Sequence, residues 1–233
     1  MRIRRANERG HFDHGWLRTW HTFSFGDYMD PNWVRFRTMR VLNEDIVAPG
    51  GGFPMHPHRD MEIITVVLRG ELEHSDSLGN TLRVTPGKVQ KMSAGSGIVH
   101  SERNPSDSEA VHLYQIWIFP DEKGLEPSFH EVDVPSAAEG WTVLASRDAA
   151  AGGAPIHQDA LVLRGALGAG AVLDHKLESG RGAWLQVVSG DVRLGEERLS
   201  AGDGAGIEAE ALESGALRLT SENGADVLLF DLG

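Results

Sequence analysis

The sequence contains no cysteine. That absence excludes disulfides, thiolate metal sites and cysteine nucleophiles together, so any bound metal must be held by nitrogen and oxygen. Long apolar runs are missing too. In the first half the longest, residues 63–68, is interrupted by Thr65 and falls far short of a membrane span. Basic charge is scarce: 22 Lys and Arg stand against 34 Asp and Glu, giving a net charge of −12. This balance argues against DNA or RNA as the main ligand, and the small cluster Arg2, Arg4 and Arg5 reads as a solvated strand edge. No apolar stretch follows that cluster, so it lacks the form of a secretory signal. A soluble cytoplasmic protein is expected, with neither nucleic acid nor membrane as a direct partner. Leu-rich helical stretches are few, and no P-loop, dinucleotide fingerprint or nucleophile elbow is present.

What the chain does have is turn chemistry. Twenty-eight Gly and ten Pro punctuate short apolar runs, a pattern that suits a β-rich fold with many turns. Strands are predicted at 20–25, 35–42, 55–68 (one or two), 71–75, 81–84, 89–92 and 111–119. Turns are predicted at 48–52, 77–80, 86–87 and 93–97. Strands spaced every eight to twelve residues indicate a sandwich or barrel rather than βαβ units. Residues 120–135, rich in Pro, Glu and Asp, read as a linker. The second half repeats the first weakly: Val67-Leu68-Arg69-Gly70-Glu71-Leu72 matches Val187-Val188-Ser189-Gly190-Asp191-Val192, and Pro86-Gly87-Lys88 matches Ala201-Gly202-Asp203. In this register His56 and His58 fall on Lys176 and Glu178, so a second barrel would have no equivalent metal site.

His56-Pro57-His58 places two imidazoles at i and i+2. In an extended strand both point to one face, roughly 6–7 Å apart at Cα, close enough to share a metal. His100-Ser101-Glu102 repeats the geometry with an imidazole and a carboxylate. Two strands of one barrel, each with such a pair, can bring four ligands to a point. Three nitrogens and one oxygen suit Fe(II), Mn(II), Ni(II), Cu(II) or Zn(II). Glu62 is the rival carboxylate, but it lies about 13 Å along a straight strand from His58, and Glu102 needs no bend to reach. Phe53, Met92 and Gln115, near the ligand strands, are candidates to line the pocket, against a barrel-core role for each. His11, His14 and His21 read as turn and strand residues, and His74 with Asp76 as a hairpin cap. His112 could hold a ligand from behind.

Gly50, His56-x-His58, Glu62 and Gly70 resemble the first cupin motif, and Pro86-Gly87 with Gly97-x-x-His100-x-x-x-Asn104 resembles the second. The wording is closer still to the pirin family. Its strings are Trp20-His21-Thr22-Phe23-Ser24-Phe25, His56-Pro57-His58-Arg59-Asp60-Met61-Glu62, Ser93-Ala94-Gly95-Ser96-Gly97-Ile98-Val99-His100-Ser101-Glu102 and Leu113-Tyr114-Gln115-Ile116-Trp117. The resemblance is specific over residues 1–120 and thins to fold level beyond. It implies an all-β bicupin, two jelly-roll barrels in tandem: a metal-carrying barrel over 1–133 and a degenerate one without metal over 134–233. It implies one metal held by His56, His58, His100 and Glu102, with Fe(II) the first expectation. Some bacterial members resemble quercetin 2,3-dioxygenase in activity, whereas eukaryotic members are nuclear, iron-dependent transcription cofactors. Two readings follow. One is a dioxygenase that takes a flavonol and O2, with Glu102 accepting the substrate's hydroxyl proton. The other is a metal-binding, redox-responsive regulatory protein without turnover. Isomerase chemistry, found elsewhere among cupins, is a third possibility.

Overall fold

The computed structural model describes residues 1–134, 139–213 and 215–233. Its first half contains β1 (Arg2–Arg4), β2 (Gly10–Asp13), β3 (Leu17–His21), β4 (Met39–Val47), β5 (Gly52–His58), β6 (Glu62–Arg69), β7 (Leu72–Asp76), β8 (Thr81–Val84), β9 (Lys88–Ser93), β10 (Ile98–Arg103), β11 (Val111–Ile118) and β12 (Ser128–Asp133). The second half contains β13 (Gly140–Ser146), β14 (Ala154–Pro155), β15 (Ala160–Leu167), β16 (Val172–Lys176), β17 (Gly182–Leu194), β18 (Glu197–Ser200), β19 (Gly204–Glu208), β20 (Ala216–Thr220) and β21 (Ala225–Leu232). The described helical residues form three single 3₁₀ turns, and no helix is long and apolar enough to cross a membrane.

Three clusters of apolar side chains explain the layering. Strand β6 is apolar almost throughout because both of its faces are buried. Ile63, Thr65 and Val67 alternate with Ile64, Val66 and Leu68. Ile64 and Val66 join a core shared with Trp184, Leu228 and Phe230 of the second half, while Val67 packs with Leu72, Val84 and Leu113 inside the first barrel. The second barrel has its own interior, including Leu185, Val187 and Leu229. Two barrels thus stand back to back, with the apolar layer between their larger sheets closing both.

The internal repeat is visible in the strand order. The first half arranges its seven-stranded sheet as β12-β9-β6-β11-β4-β3-β2, and the second half runs β1-β19-β17-β21-β15-β13-β14. The five strands β9-β6-β11-β4-β3 have their counterparts β19-β17-β21-β15-β13 in the same places. The matched glycines behave alike, with φ of +79° at Gly70 and +73° at Gly190, a region that favours glycine. The end positions are informative: β12 adds to β9, whereas β1, the first strand of the chain, adds to β19 in the second barrel's sheet. A division at 133/134 therefore leaves the chain's first strand hydrogen-bonded to the sheet of the other half.

Three predicted elements shift. The strand predicted at 20–25 is β3, ending at His21, because the next residues leave the sheet and Phe23 packs against Trp184 at 5.0 Å. The strand predicted at 35–42 is β4, beginning at Met39. Arg37 at φ +48° makes the turn that precedes it. The predicted linker 120–135 contains β12, paired with β9 along six residues from Ser128↔Ser93 to Asp133↔Lys88. Its polar composition suits an edge strand, and Pro135 lies outside the described residues.

Candidate metal centre

The smaller sheet of the first barrel, β5-β10-β7-β8, faces the larger one. Antiparallel pairing sets His100 opposite His56 and Ile98 opposite His58. Same-face geometry then brings the rings together: centroids are 4.4 Å apart for His56 and His100, 4.8 Å for His56 and His58, and 4.9 Å for His58 and His100. A ligand-capable atom on each of the three lies within 4.8 Å of the others. Beyond His100 the register slips, so that Glu102 faces Phe53. Three residues of β5 span two of β10, a bulge that re-aims the side chain and turns Phe53 into the barrel.

Glu102 is 3% exposed and held by amides. Gln115 Nε2 donates to its Oε2 at 2.6 Å and Gln90 Nε2 to its Oε1 at 3.1 Å, with the Thr65 hydroxyl 3.4 Å from Oε1. Burial raises its pKa to about 7. Glu102 groups within the same distance limit with His100 and His74, so His100 is common to two overlapping triads.

The donor set fits a divalent ion. Burial, reinforced by the neighbouring imidazoles, lowers the pKa of His58 to about 4 and of His100 to about 2. The rings are therefore neutral at physiological pH, as metal ligation requires. His56 Nδ1 lies 2.7 Å from the Pro54 carbonyl, which it serves as donor, leaving Nε2 with its lone pair. His100 Nε2 is buried with no hydrogen-bond partner, an arrangement costly for a polar atom unless a ligand completes it.

The site opens on a cavity of about 340 Å³. His56, His58, His100, Glu102, Phe53 and Gln115 all line it. Met92 does not, which corrects the expectation for that residue. Fully buried, it faces Ile63 across the β6–β9 pair and packs with Ile98 and Ala94 in a small core cluster. The wall also includes residues that sequence reasoning missed. Asn43 and Asp45 on β4 line the cavity, as do Phe25 and Trp117, and Trp117 meets His58 edge to face at 4.8 Å. Two polar residues on a strand face otherwise made of Met39, Val41 and Val47 were the available signal for Asn43 and Asp45.

The other residues singled out in the sequence lie elsewhere on the sheets. Glu62 points to the opposite face of β6, where it pairs with the buried Lys91 at 2.8 Å and accepts from Ser93 Oγ and the His157 N–H. His112, one residue out of phase with Leu113 and Gln115, pairs with Glu44 at 2.9 Å and holds no ligand. His11 stacks on Trp20 at 4.8 Å and His21 lies among Phe12, Phe25 and Tyr28, consistent with strand roles. Asp76 does cap its hairpin, accepting from the Leu78 and Asn80 N–H groups, but its partner His74 is buried behind His100. In the second barrel Lys176 and Glu178, the counterparts of His56 and His58, form an exposed pair at 2.8 Å.

Tandem jelly-roll barrels with a His-x-His pair facing a His-x-Glu pair define a bicupin. Residues 2–118 match the Pirin family, and residues 143–232 match the family described as the quercetinase C-terminal cupin domain. The chain is 46% identical over 230 residues to a quercetin 2,3-dioxygenase of Escherichia coli, covering 99% of this chain and 97% of that one. It is 41% identical over 225 residues to a pirin-like protein of Caulobacter vibrioides, covering 95% of each. The crystal structure of the bacterial pirin YhhW from Escherichia coli in complex with nickel(II) superposes with a TM-score of 0.93 at 45% identity, covering 99% of this chain and 98% of that one. This chain belongs to the pirin family.

Proposed function

We propose that the protein is a metal-dependent dioxygenase acting on flavonols such as quercetin. One observation carries the reading: three imidazoles and an amide-held carboxylate open on an aromatic-lined cavity, in a chain 46% identical along nearly its whole length to a quercetin 2,3-dioxygenase. His56, His58, His100 and Glu102 are the ligands, in the barrel formed within 1–133, and the barrel within 134–233 is without metal. Fe(II) heads the candidates, and nickel, manganese, copper and zinc suit the same donors. When bound, the ion supplies Lewis-acid chemistry and, if redox-active, electron transfer.

The chain's own residues do the rest. Phe25, Phe53 and Trp117 offer ring faces and edges to a flat aromatic ligand. Buried acceptor oxygens of Asn43, Asp45 and Gln115 have no partner, and a polyhydroxylated ligand brings the missing donors. The Gln115 amide is oriented by its bond to Glu102, which leaves its oxygen free for that role. Glu102, with its pKa raised by burial, accepts the substrate's hydroxyl proton and is steadied by Gln90 and Gln115 as it does so.

The test is loss of quercetin absorbance after chelation and reconstitution. Chelation and the double substitution His56→Ala/His58→Ala should each abolish turnover, and adding metal back should restore it to the unaltered protein alone. Tight metal binding without quercetin loss would move the protein to the metal-binding regulatory class.

A further inference from the structure

His74 is fully buried beneath the metal centre, on β7, and its two ring nitrogens are both engaged. Nε2 lies 3.1 Å from Asp76 Oδ2, and Nδ1 lies 3.3 Å from both His100 Nδ1 and Gln90 Nε2. The protons on this chain can be placed by elimination. Asp76 accepts the Leu78 and Asn80 N–H groups on Oδ1 and the Asn80 Nδ2–H on Oδ2. Asp76 is thus an acceptor only, and His74 Nε2 must donate to it. Gln90 Nε2, an amide nitrogen that can only donate and that also donates to Glu102, faces His74 Nδ1, so Nδ1 is an acceptor. His100 Nδ1 must then be the donor, which leaves the lone pair on Nε2. Nε2 of His100 is also the buried atom without a partner.

We infer that His74 is a positioning residue for His100: the Asp76–His74–His100 chain fixes the Nδ1–H tautomer and so presents His100 Nε2 to the metal. The inference rests on the metal reading above. It also separates the two overlapping triads, because a His74 with both nitrogens committed is not a ligand. Such outer partners set ring orientation and ligand basicity.

Asp76→Asn inverts the chain without removing the turn. Two backbone N–H groups, of Leu78 at 2.9 Å and Asn80 at 3.1 Å, hold the Oδ1 position, so the asparagine oxygen stays there and its NH₂ faces His74 Nε2. The Asn80 amide, which donates to Oδ2 at 2.8 Å in the unaltered chain, turns to present its oxygen. His74 must then carry its proton on Nδ1, and His100 is driven to the Nε2–H form. Long-range ¹H–¹⁵N spectra of histidine-labelled, metal-free protein should show His100 protonated at Nδ1 in the unaltered chain and at Nε2 in Asp76→Asn. Nickel affinity by calorimetry should fall roughly 10- to 100-fold in Asp76→Asn and His74→Leu. His74→Gln, which keeps an acceptor towards His100 and a donor towards Asp76, should hold affinity within a few-fold. An Nε2–H tautomer of His100 in the unaltered chain, or unchanged tautomer and affinity in Asp76→Asn, would overturn the inference. Unchanged nickel affinity in His56→Ala/His58→Ala would instead sink the metal reading, and the tautomer spectra would still decide the role of His74.

Discussion

A carboxyl group at position 45 would be ionised in water, but burial in the cavity wall raises its pKa to about 7. In the unfolded chain it titrates near 3.8. As pH rises between these values the unfolded state sheds the proton first, so it binds fewer protons than the folded state and stability falls. Asp45→Asn removes this loss. At pH above about 7 the metal-free variant should be more stable than the unaltered protein by about 1–3 kcal/mol, with the difference vanishing near pH 4, as thermal denaturation will show. The same variant should bind quercetin more weakly, because an acceptor for a hydroxyl donor is lost. Among the site residues, the His56–His58 and His100–Glu102 pairs were legible because i, i+2 spacing on a strand needs no tertiary knowledge. Asp45 and His74 were not, because their roles depend on which strand lies opposite. Met92 was misread because a residue close to the ligand strands in sequence faces the core when β9 pairs with β6.

At the scale of the element, the site depends on how strands are joined. The β6–β7 connection turns at Gly70, where φ is +79° and an added Cβ would stand 2.8 Å from the Ala110 carbonyl. Gly70→Ala should destabilise the fold by about 1–3 kcal/mol, measured by denaturant titration, through backbone strain at a position that needs the left-handed region. Turns of this kind were readable from glycine alone, and β8 was predicted at its observed bounds, Thr81–Val84. What escaped were the elements defined by a partner. Strand β12 looked like a linker because an edge strand tolerates charge, and the basic segment of β1, read as a solvated strand edge, is a strand whose β19 partner lies some two hundred residues on and whose Arg4 is buried. The bulge that brings Phe53 inward is likewise a property of the β5–β10 pair rather than of either strand.

The whole molecule is held by the layer between its barrels. Trp184 of the second half is fully buried against Phe23, Trp33 and Phe36 of the first, with ring centroids 5.0, 5.9 and 5.6 Å away. Trp184→Ala should cost about 3–5 kcal/mol. Calorimetry should show one cooperative transition moving down in temperature, since both barrels lose the same contact. Two independent transitions would contradict a shared core. The strand order of the second barrel repeats that of the first, which the matched Gly70 and Gly190 strings already suggested, while the back-to-back packing had no signature in the sequence. On this scaffold one barrel keeps the imidazoles and the other has Lys176 and Glu178 in their place. The dioxygenase reading is tested most directly by oxygen uptake with quercetin present, using protein reconstituted with iron, manganese, nickel, copper or zinc in turn. Uptake should match quercetin loss mole for mole with a redox-capable ion, and there should be none with zinc and none in His56→Ala/His58→Ala. Tight binding of each ion with no uptake from any of them would contradict that reading.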